Sequence, residues 1–443
     1  MTHRLRRLVR HPRFSLKIWL HRLLFWGGAV LVALVAMLFE RTSTLGNRLF
    51  AQAIALHPTL AFVITPMGFA GVLWLTRRVF PGAQGSGIPQ TIAALKIPVL
   101  ADRQAVLSLR LAVGKVLLTS LGLCAGASVG REGPTVQIGA AIMLALGRWI
   151  RLPIQHIDRT LILAGGAAGI AAAFNTPLAG IVFAIEELSR SFEERTSGTV
   201  LTTVIVAGIT AMAVVGNYTY FGRTDAALTL AAAWRPVLIC GVGGGLVGGL
   251  FARILIAVSL GLPGRPGEWI KEHPFFFAAM CGLGMAVVGT LSGSSVYGTG
   301  YDEAKGLIEG KNALPATFGL MKLVATALSY ISGIPGGIFA PSLAVGAGLG
   351  ADLAPWLPDI PVGALAILGM VGYFTGVVQA PITAVVIVME MTDNQSLTLP
   401  LMAAAVIAYG VSRLVCPDPM YRTLAQSFIE RAVRREARAG EAS

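Results

Sequence analysis

The amino-acid sequence predicts an all-α polytopic membrane protein built from two inverted-topology repeats with broken and tilted helices. Three observations carry that prediction: a composition too apolar for a water-soluble globule, apolar runs of two distinct lengths, and an internal repeat. Of 443 residues, 55% are apolar and 13% charged, with 53 glycines outside the apolar count. Soluble domains carry about 25% charged residues, and so few charges cannot cover so much apolar surface. The hydrophobicity excludes a disordered chain, and four scattered cysteines exclude a disulfide scaffold.

The chain opens on a basic segment, residues 1–22. Arg4, Arg6, Arg7, Arg10, Arg13, Lys17 and Arg22 precede the first apolar run, and no acidic residue comes before Glu40. The run that follows, 23–39, is long for a signal peptide and lacks a clean small-x-small cleavage site, so it reads as a retained membrane helix. The other end, closing in a short tail at 426–443, sets Arg422, Arg431, Arg434, Arg435 and Arg438 against Glu430, Glu436 and Glu441. The positive-inside rule then places both ends in the cytoplasm of a multi-pass protein of the cell membrane, the inner membrane if the source is bacterial. Nucleic acid is set aside as a partner because no aromatic platform accompanies the basic ends.

Between the ends lies one transmembrane domain, 23–425. The runs 23–39, 60–75, 105–125, 200–215, 236–260, 275–291 and 397–411 are long enough, or nearly so, to cross a hydrocarbon core of about 30 Å. Shorter pieces at 135–146, 161–174, 178–185, 342–350, 364–375 and 382–389 are cut by Gly and Pro. Broken helices persist at membrane depth only where protein or an aqueous cavity satisfies their free backbone groups. That is the pattern of a channel or transporter.

The repeat joins halves at about 60–220 and 235–425. Gly130-Arg-Glu-Gly-Pro134 precedes Gly139-Ala140, and Gly337-Ile-Phe-Ala-Pro341 precedes Gly346-Ala347 at the same offsets. Lys115 and Lys322 each lie 19 residues before those prolines, and Pro177 and Pro381 each lie nine residues before Glu186 and Glu390. Gly85-Ser-Gly87 answers Gly298-Thr-Gly300. Repeats of this kind place the site at their interface. Three glycine-proline segments, Gly85–Pro89, Gly130–Pro134 and Gly337–Pro341, open short helices there. Proline suits a first helical turn, and glycine lets backbone approach a ligand. Converging helix N-termini offer unpaired N–H groups and partial positive charge, an anion site with no full cation to trap the ion.

These three segments, in this order, resemble the signature segments of the CLC family of chloride channels and chloride/proton antiporters, over residues of about 60–425. The resemblance implies CLC architecture and secondary active exchange of chloride for protons through a central anion site gated by a glutamate. The alternative on the same fold is a passive voltage- or pH-gated chloride channel. It further implies that the Ser86 hydroxyl holds the central chloride, joined by the backbone N–H groups of Ile338 and Phe339 and the phenol of Tyr421 in Pro419-Met-Tyr421. Nitrate-preferring members tend to carry proline at the serine, and fluoride exporters depart from it too, so Ser86 favours chloride. Glu132 becomes the gate, and Glu187, the second of two adjacent glutamates, the internal proton-transfer residue. From the residues alone, Glu186 and Glu187 also fit a pair of solvated carboxylates at a helix end.

Chloride, protons, the lipid bilayer and a second copy of the chain in a homodimer are the implied partners. No cofactor, metal, nucleotide or enzymatic activity is expected, and the short tail leaves no room for the paired CBS domains of many members. Lys115 reads either as background positive potential or as a side chain snorkelling to an interface. Arg131 reads as a local anchor, Gln90 as inconsequential, Glu390 as a repeat partner without a role, and Asp102, Asp302 and Glu303 as solvated loop charges. Gly126-Ala-Ser-Val-Gly130 matches a hydrolase nucleophile elbow, but that chemistry needs a histidine. His3, His11, His21, His57, His156 and His273 all sit near termini or loops.

Overall fold

The computed structural model describes residues 16–150, 157–189, 194–216, 219–311 and 314–441, and its regular elements are helices. Arg4, Arg6, Arg7, Arg10 and Arg13, with His3, His11 and His156, lie outside the described residues. The first half comprises α1 (Leu16–Leu56), α2 (Ala61–Arg78), α3 (Ile88–Lys96), α4 (Leu100–Val106), α5 (Leu109–Cys124), α6 (Glu132–Ile150), α7 (Ile157–Phe174), α8 (Pro177–Phe183) and α9 (Glu194–Val215). The second comprises α10 (Leu230–Leu260), α11 (Arg265–Glu272), α12 (Pro274–Leu291), α13 (Tyr301–Ile308), α14 (Phe318–Ile331), α15 (Phe339–Ala351), α16 (Val362–Val378), α17 (Pro381–Thr392) and α18 (Thr398–Val415). A last helix, α19 (Met420–Glu441), follows both.

Eight of these helices are long and apolar enough to cross a membrane. Seven contain the long runs seen in the sequence, and the eighth is α7, whose run looked short because glycines interrupt it. The first apolar run turns out to be part of a 41-residue helix. Nothing between Leu16 and Leu56 ends it: the next proline is Pro58. Helices α11, α13, α14 and α19 had no counterpart among the expected runs, because they are short, mixed in polarity or strongly charged. Asp102, Asp302 and Glu303 are helical, in α4 and α13, not in loops.

The repeat is visible in the element order. Helices α1, α2, α3, α5, α6, α7, α8 and α9 correspond in turn to α10, α12, α13, α14, α15, α16, α17 and α18. Glycine makes the same close crossing in each half. An added Cβ at Gly139 of α6 would strike the Gly165 carbonyl oxygen of α7, and one at Gly346 of α15 would strike that of Gly369 in α16. Small residues at such crossings let backbones pack with no lipid between them.

The relation between halves is inverted, as α8 and α17 demonstrate. Glu186, in the π-helical turn Ala184–Ser189 that ends α8, accepts from the N–H groups of Ile382 (3.2 Å) and Thr383 (2.6 Å) at the start of α17. Glu390, near the end of α17, accepts from Leu178 (3.1 Å) and Ala179 (2.8 Å) at the start of α8. Each helix thus ends where the other begins, so the pair runs antiparallel. Both pairs of bonds satisfy orphan N–H groups of a first turn. Left-handed residues at Asn175 (φ 57°) and Gln379 (φ 59°) set up the two turns alike.

Candidate functional site

The three glycine-proline segments meet at the interface of the halves. Gly130 and Gly337 exchange both backbone hydrogen bonds, at 2.6 and 2.7 Å, and Gly336 donates to Gly85 at 3.1 Å. Each GxG loop is built from left-handed glycines: Gly85 (φ 64°) and Gly87 (φ 101°) before α3, Gly298 (φ 69°) and Gly300 (φ 79°) before α13. Only glycine adopts this conformation without strain. A buried lysine ties down each loop. Lys115 donates to the carbonyls of Gln84 (3.3 Å) and Gly85, and Lys322 to those of Val296 (2.8 Å) and Gly298 (2.9 Å). Lys115 therefore does not snorkel: it is fully buried and works as a backbone clamp.

Gln90 also has a task, since its Nε2 donates to Gln84 O at 2.6 Å from a buried position. Glu303 is partly buried rather than fully solvated, and it lies within electrostatic reach of Lys322. The glutamate pair at the end of α8 is no exposed patch either, for Glu186 caps α17 and Glu187 is 2% exposed.

Ser86 and Tyr421 are both buried and lie within reach of each other. Among the described residues neither hydroxyl has a hydrogen-bond partner of normal geometry. Two buried donors left open at one place call for a ligand that accepts. The first turn of α6 crowds Ser86 so closely that an added Cβ at Gly133 would strike its Oγ. Ile338 is the N-cap residue of α15, so its N–H and that of Phe339 precede the ladder that begins with Ser342 N donating to Ile338 O at 2.9 Å. The Phe339 ring points away into an aromatic cluster with Phe174, Phe183 and Phe374, at centroid distances of 5.5, 6.2 and 4.4 Å. Only its backbone is left to face the helix N-termini.

Glu132 begins α6 and is fully buried. Backbone N–H groups of Glu132 itself and of Ala340 face its carboxyl group, so an acidic side chain already sits between the N-termini of α6 and α15. An added Cβ at Gly130 would collide with Oε2, which explains a glycine two residues before. Arg131 turns the other way and pairs with Glu40 of α1 at 2.9 Å, an anchor as expected. The sequence did not single out Tyr220, whose hydroxyl lies 3.4 Å from Glu132 Oε1. Ser128, the middle of the apparent nucleophile elbow, has Ser329 and Thr326 as its hydrogen-bond partners, not a histidine.

From Ser86 and Tyr330 a cavity of about 850 Å³ extends to the exposed basic side chains Arg77, Lys271 and Arg431. Cationic walls around a concave mouth raise the local concentration of anions. α19, which packs on α3, supplies both Tyr421 and Arg431.

Comparison with known proteins agrees with this geometry. Residues 67–413 match the family model described as voltage gated chloride channel. The H(+)/Cl(-) exchange transporter ClcA of Salmonella typhi is 32% identical over 468 aligned positions, covering 99% of this chain and 95% of the relative. The protein of the same description from Cronobacter sakazakii is 32% identical over 86% of this chain and 82% of its own. The crystal structure of a slow cyanobacterial Cl-/H+ antiporter superposes with a TM-score of 0.77 at 26% identity, over 92% of this chain and 98% of that one. A CLC-type fluoride/proton antiporter, at 24% identity and a TM-score of 0.75, shares the fold. With the signature segments joined as they are around a buried glutamate, the chain belongs to the CLC family of voltage-gated chloride channels and their antiporter relatives.

Proposed function

We propose that the protein exchanges chloride for protons across the cell membrane, as its 32%-identical relatives are described to do. The observation that carries the reading is the pair of buried, open hydroxyls of Ser86 and Tyr421 beside helix N-termini, where the Glu132 carboxylate is also held. Chloride takes the Ser86 and Tyr421 hydroxyls together with the N–H groups of Ile338 and Phe339. Dipoles and hydroxyls replace part of its hydration without a fixed counter-charge, so the ion binds and also leaves.

Glu132 is the gate. As a carboxylate, held by the N–H groups of Glu132 itself and Ala340, it competes with chloride for the same partial positive charge of the helix N-termini. When it takes up a proton it loses the charge that holds it there, leaves, and lets an anion in. Because one competitor accepts a proton and the other does not, each exchange of occupants carries a proton with it. Glu187, buried and within electrostatic reach of Tyr421, is the second proton site. The gradients supply the energy.

The protein works as a homodimer in the bilayer with a pathway in each subunit. Both termini lie in the cytoplasm, with 1–22 and 426–443 flanking a transmembrane domain at 23–425. The test is proton uptake into liposomes holding the purified protein, driven by an outward chloride gradient with valinomycin and potassium fixing the voltage. Uphill proton movement that disappears in Glu187→Gln is the expected result. Chloride flux without uphill proton movement makes the protein a channel instead.

A further inference from the structure

We infer that Tyr220, in the linker between the halves, is a latch on the gate: its hydroxyl donates to the Glu132 carboxylate and holds the gate closed. The inference rests on Glu132 being the gate and names a residue that positions it. Tyr220 is 3% exposed, and its hydroxyl lies 3.4 Å from Glu132 Oε1 and 3.4 Å from an Arg131 amino nitrogen. Arg131 only donates, so the phenol oxygen accepts from it while its own proton is donated to the carboxylate. The relay begins at Glu40, a third exposed, which draws the Arg131 guanidinium outward at 2.9 Å. It runs through Arg131 and Tyr220 to the buried gate.

The ring is fixed independently of its hydroxyl. Phe174, Phe221 and Tyr301 pack edge-on around it at centroid distances of 5.4, 5.1 and 4.9 Å. Phe221 N in turn donates to Met391 O of α17 at 3.0 Å, so the linker is pinned to the second half. Phenylalanine at 220 therefore keeps the packing and removes the latch alone. Among the described residues, the other charged or titratable groups around the gate include Arg131 on its own segment, Glu40 on α1, Tyr301 and Lys305 on α13 behind the Tyr220 ring, and Tyr421 on α19. Helix α15, which faces the carboxylate through Ala340, carries no titratable residue.

A donor on a carboxylate favours its charged form. Without it the gate takes up its proton at higher pH and leaves its seat more readily. In the liposome assay, Tyr220→Phe is expected to move the rise of chloride turnover with acidification to higher pH by about 0.7 unit. At a fixed pH on that limb turnover is expected to rise about five-fold, with coupling to protons retained. In Glu132→Gln, which has no carboxylate to hold, adding Tyr220→Phe is expected to change nothing. An unshifted pH profile in Tyr220→Phe, or the same shift in the Glu132→Gln background, overturns the latch. Retained proton coupling in Glu132→Gln alone is a different failure, that of the gate itself.

Discussion

The two halves of the molecule share a scaffold and differ in chemistry. Each has a loop with two left-handed glycines clamped by a buried lysine, a close glycine crossing of two helices, and a glutamate that caps a helix of the other half. In the proposed site, none of the side chains offered to the anion comes from the second half. Where the first half has Arg131-Glu132 before its proline, the second has Ile338-Phe339, whose side chains turn into the apolar core and leave only backbone to the site. Where the first has Ser86 between its glycines, the second has Thr299. α19 belongs to neither half and adds Tyr421. A symmetric frame can place two sets of helix N-termini on one point. A single proton-accepting gate suits alternation, and only the first half has a glutamate at this position. On the proposed reading, the duplicated parts hold the site and the unduplicated parts operate it.

The sharpest way to break that comparison is to strike a feature that both halves share. Gly139→Val and Gly346→Val each drive a side chain into a facing carbonyl, and overpacking of this kind costs about 3 kcal/mol or more. Both variants are expected to lose nearly all monodisperse protein on size-exclusion chromatography in detergent. Tolerance of one but not the other would mean that the two crossings do not bear equal loads.

The next effect separates the halves. Glu132→Gln is expected to abolish uphill proton movement while leaving chloride flux. Phe339→Leu, the matching position in the second half after Ile338, is expected to retain coupling, because its N–H is unchanged. Loss of coupling in Phe339→Leu would show that the aromatic cluster itself acts on the gate. A smaller effect of the same kind is expected at the GxG loops. Ser86→Ala removes a donor to an anion, about 1.5–3 kcal/mol, and should weaken chloride binding at least ten-fold by calorimetry. Thr299→Ala should leave it unchanged.

What the sequence made legible follows the same division. Gly85–Pro89, Gly130–Pro134 and Gly337–Pro341 are contiguous segments, and contiguous segments keep their meaning in one dimension. Ser86, Glu132 and the backbone at Ile338 and Phe339 were therefore readable, and the structure brings them together. The inverted relation of the halves was readable too, from prolines, lysines and glutamates at matching offsets. Contacts between distant segments were not. Lys115 suggested an interface or a field, and its carbonyl partners 30 residues away were hidden. Tyr220 sits in a linker without periodicity, 88 residues from the carboxylate it meets. Helix α19 went unnoticed because its arginines and glutamates mask a helix that packs on α3.

The smallest expected effect concerns Glu186 and Glu390, which the sequence paired without assigning either a task. Each carboxylate meets two N–H groups at the start of a helix more than 190 residues away. Replacing either with Gln keeps one acceptor oxygen and removes the charge that favours a helix N-terminus, about 0.3–2 kcal/mol. Both variants should fold, with melting temperatures lowered by similar small amounts, and both should retain chloride turnover. The proton side offers the finer distinction. Glu186 adjoins Glu187 in one π-helical turn, whereas Glu390 has Met389 and Met391 beside it. Glu186→Gln is therefore expected to alter proton flux modestly where Glu390→Gln does not. Equal proton flux in the two variants would mean that the caps act only as fasteners between halves, and that Glu187 keeps its place without help from its neighbour.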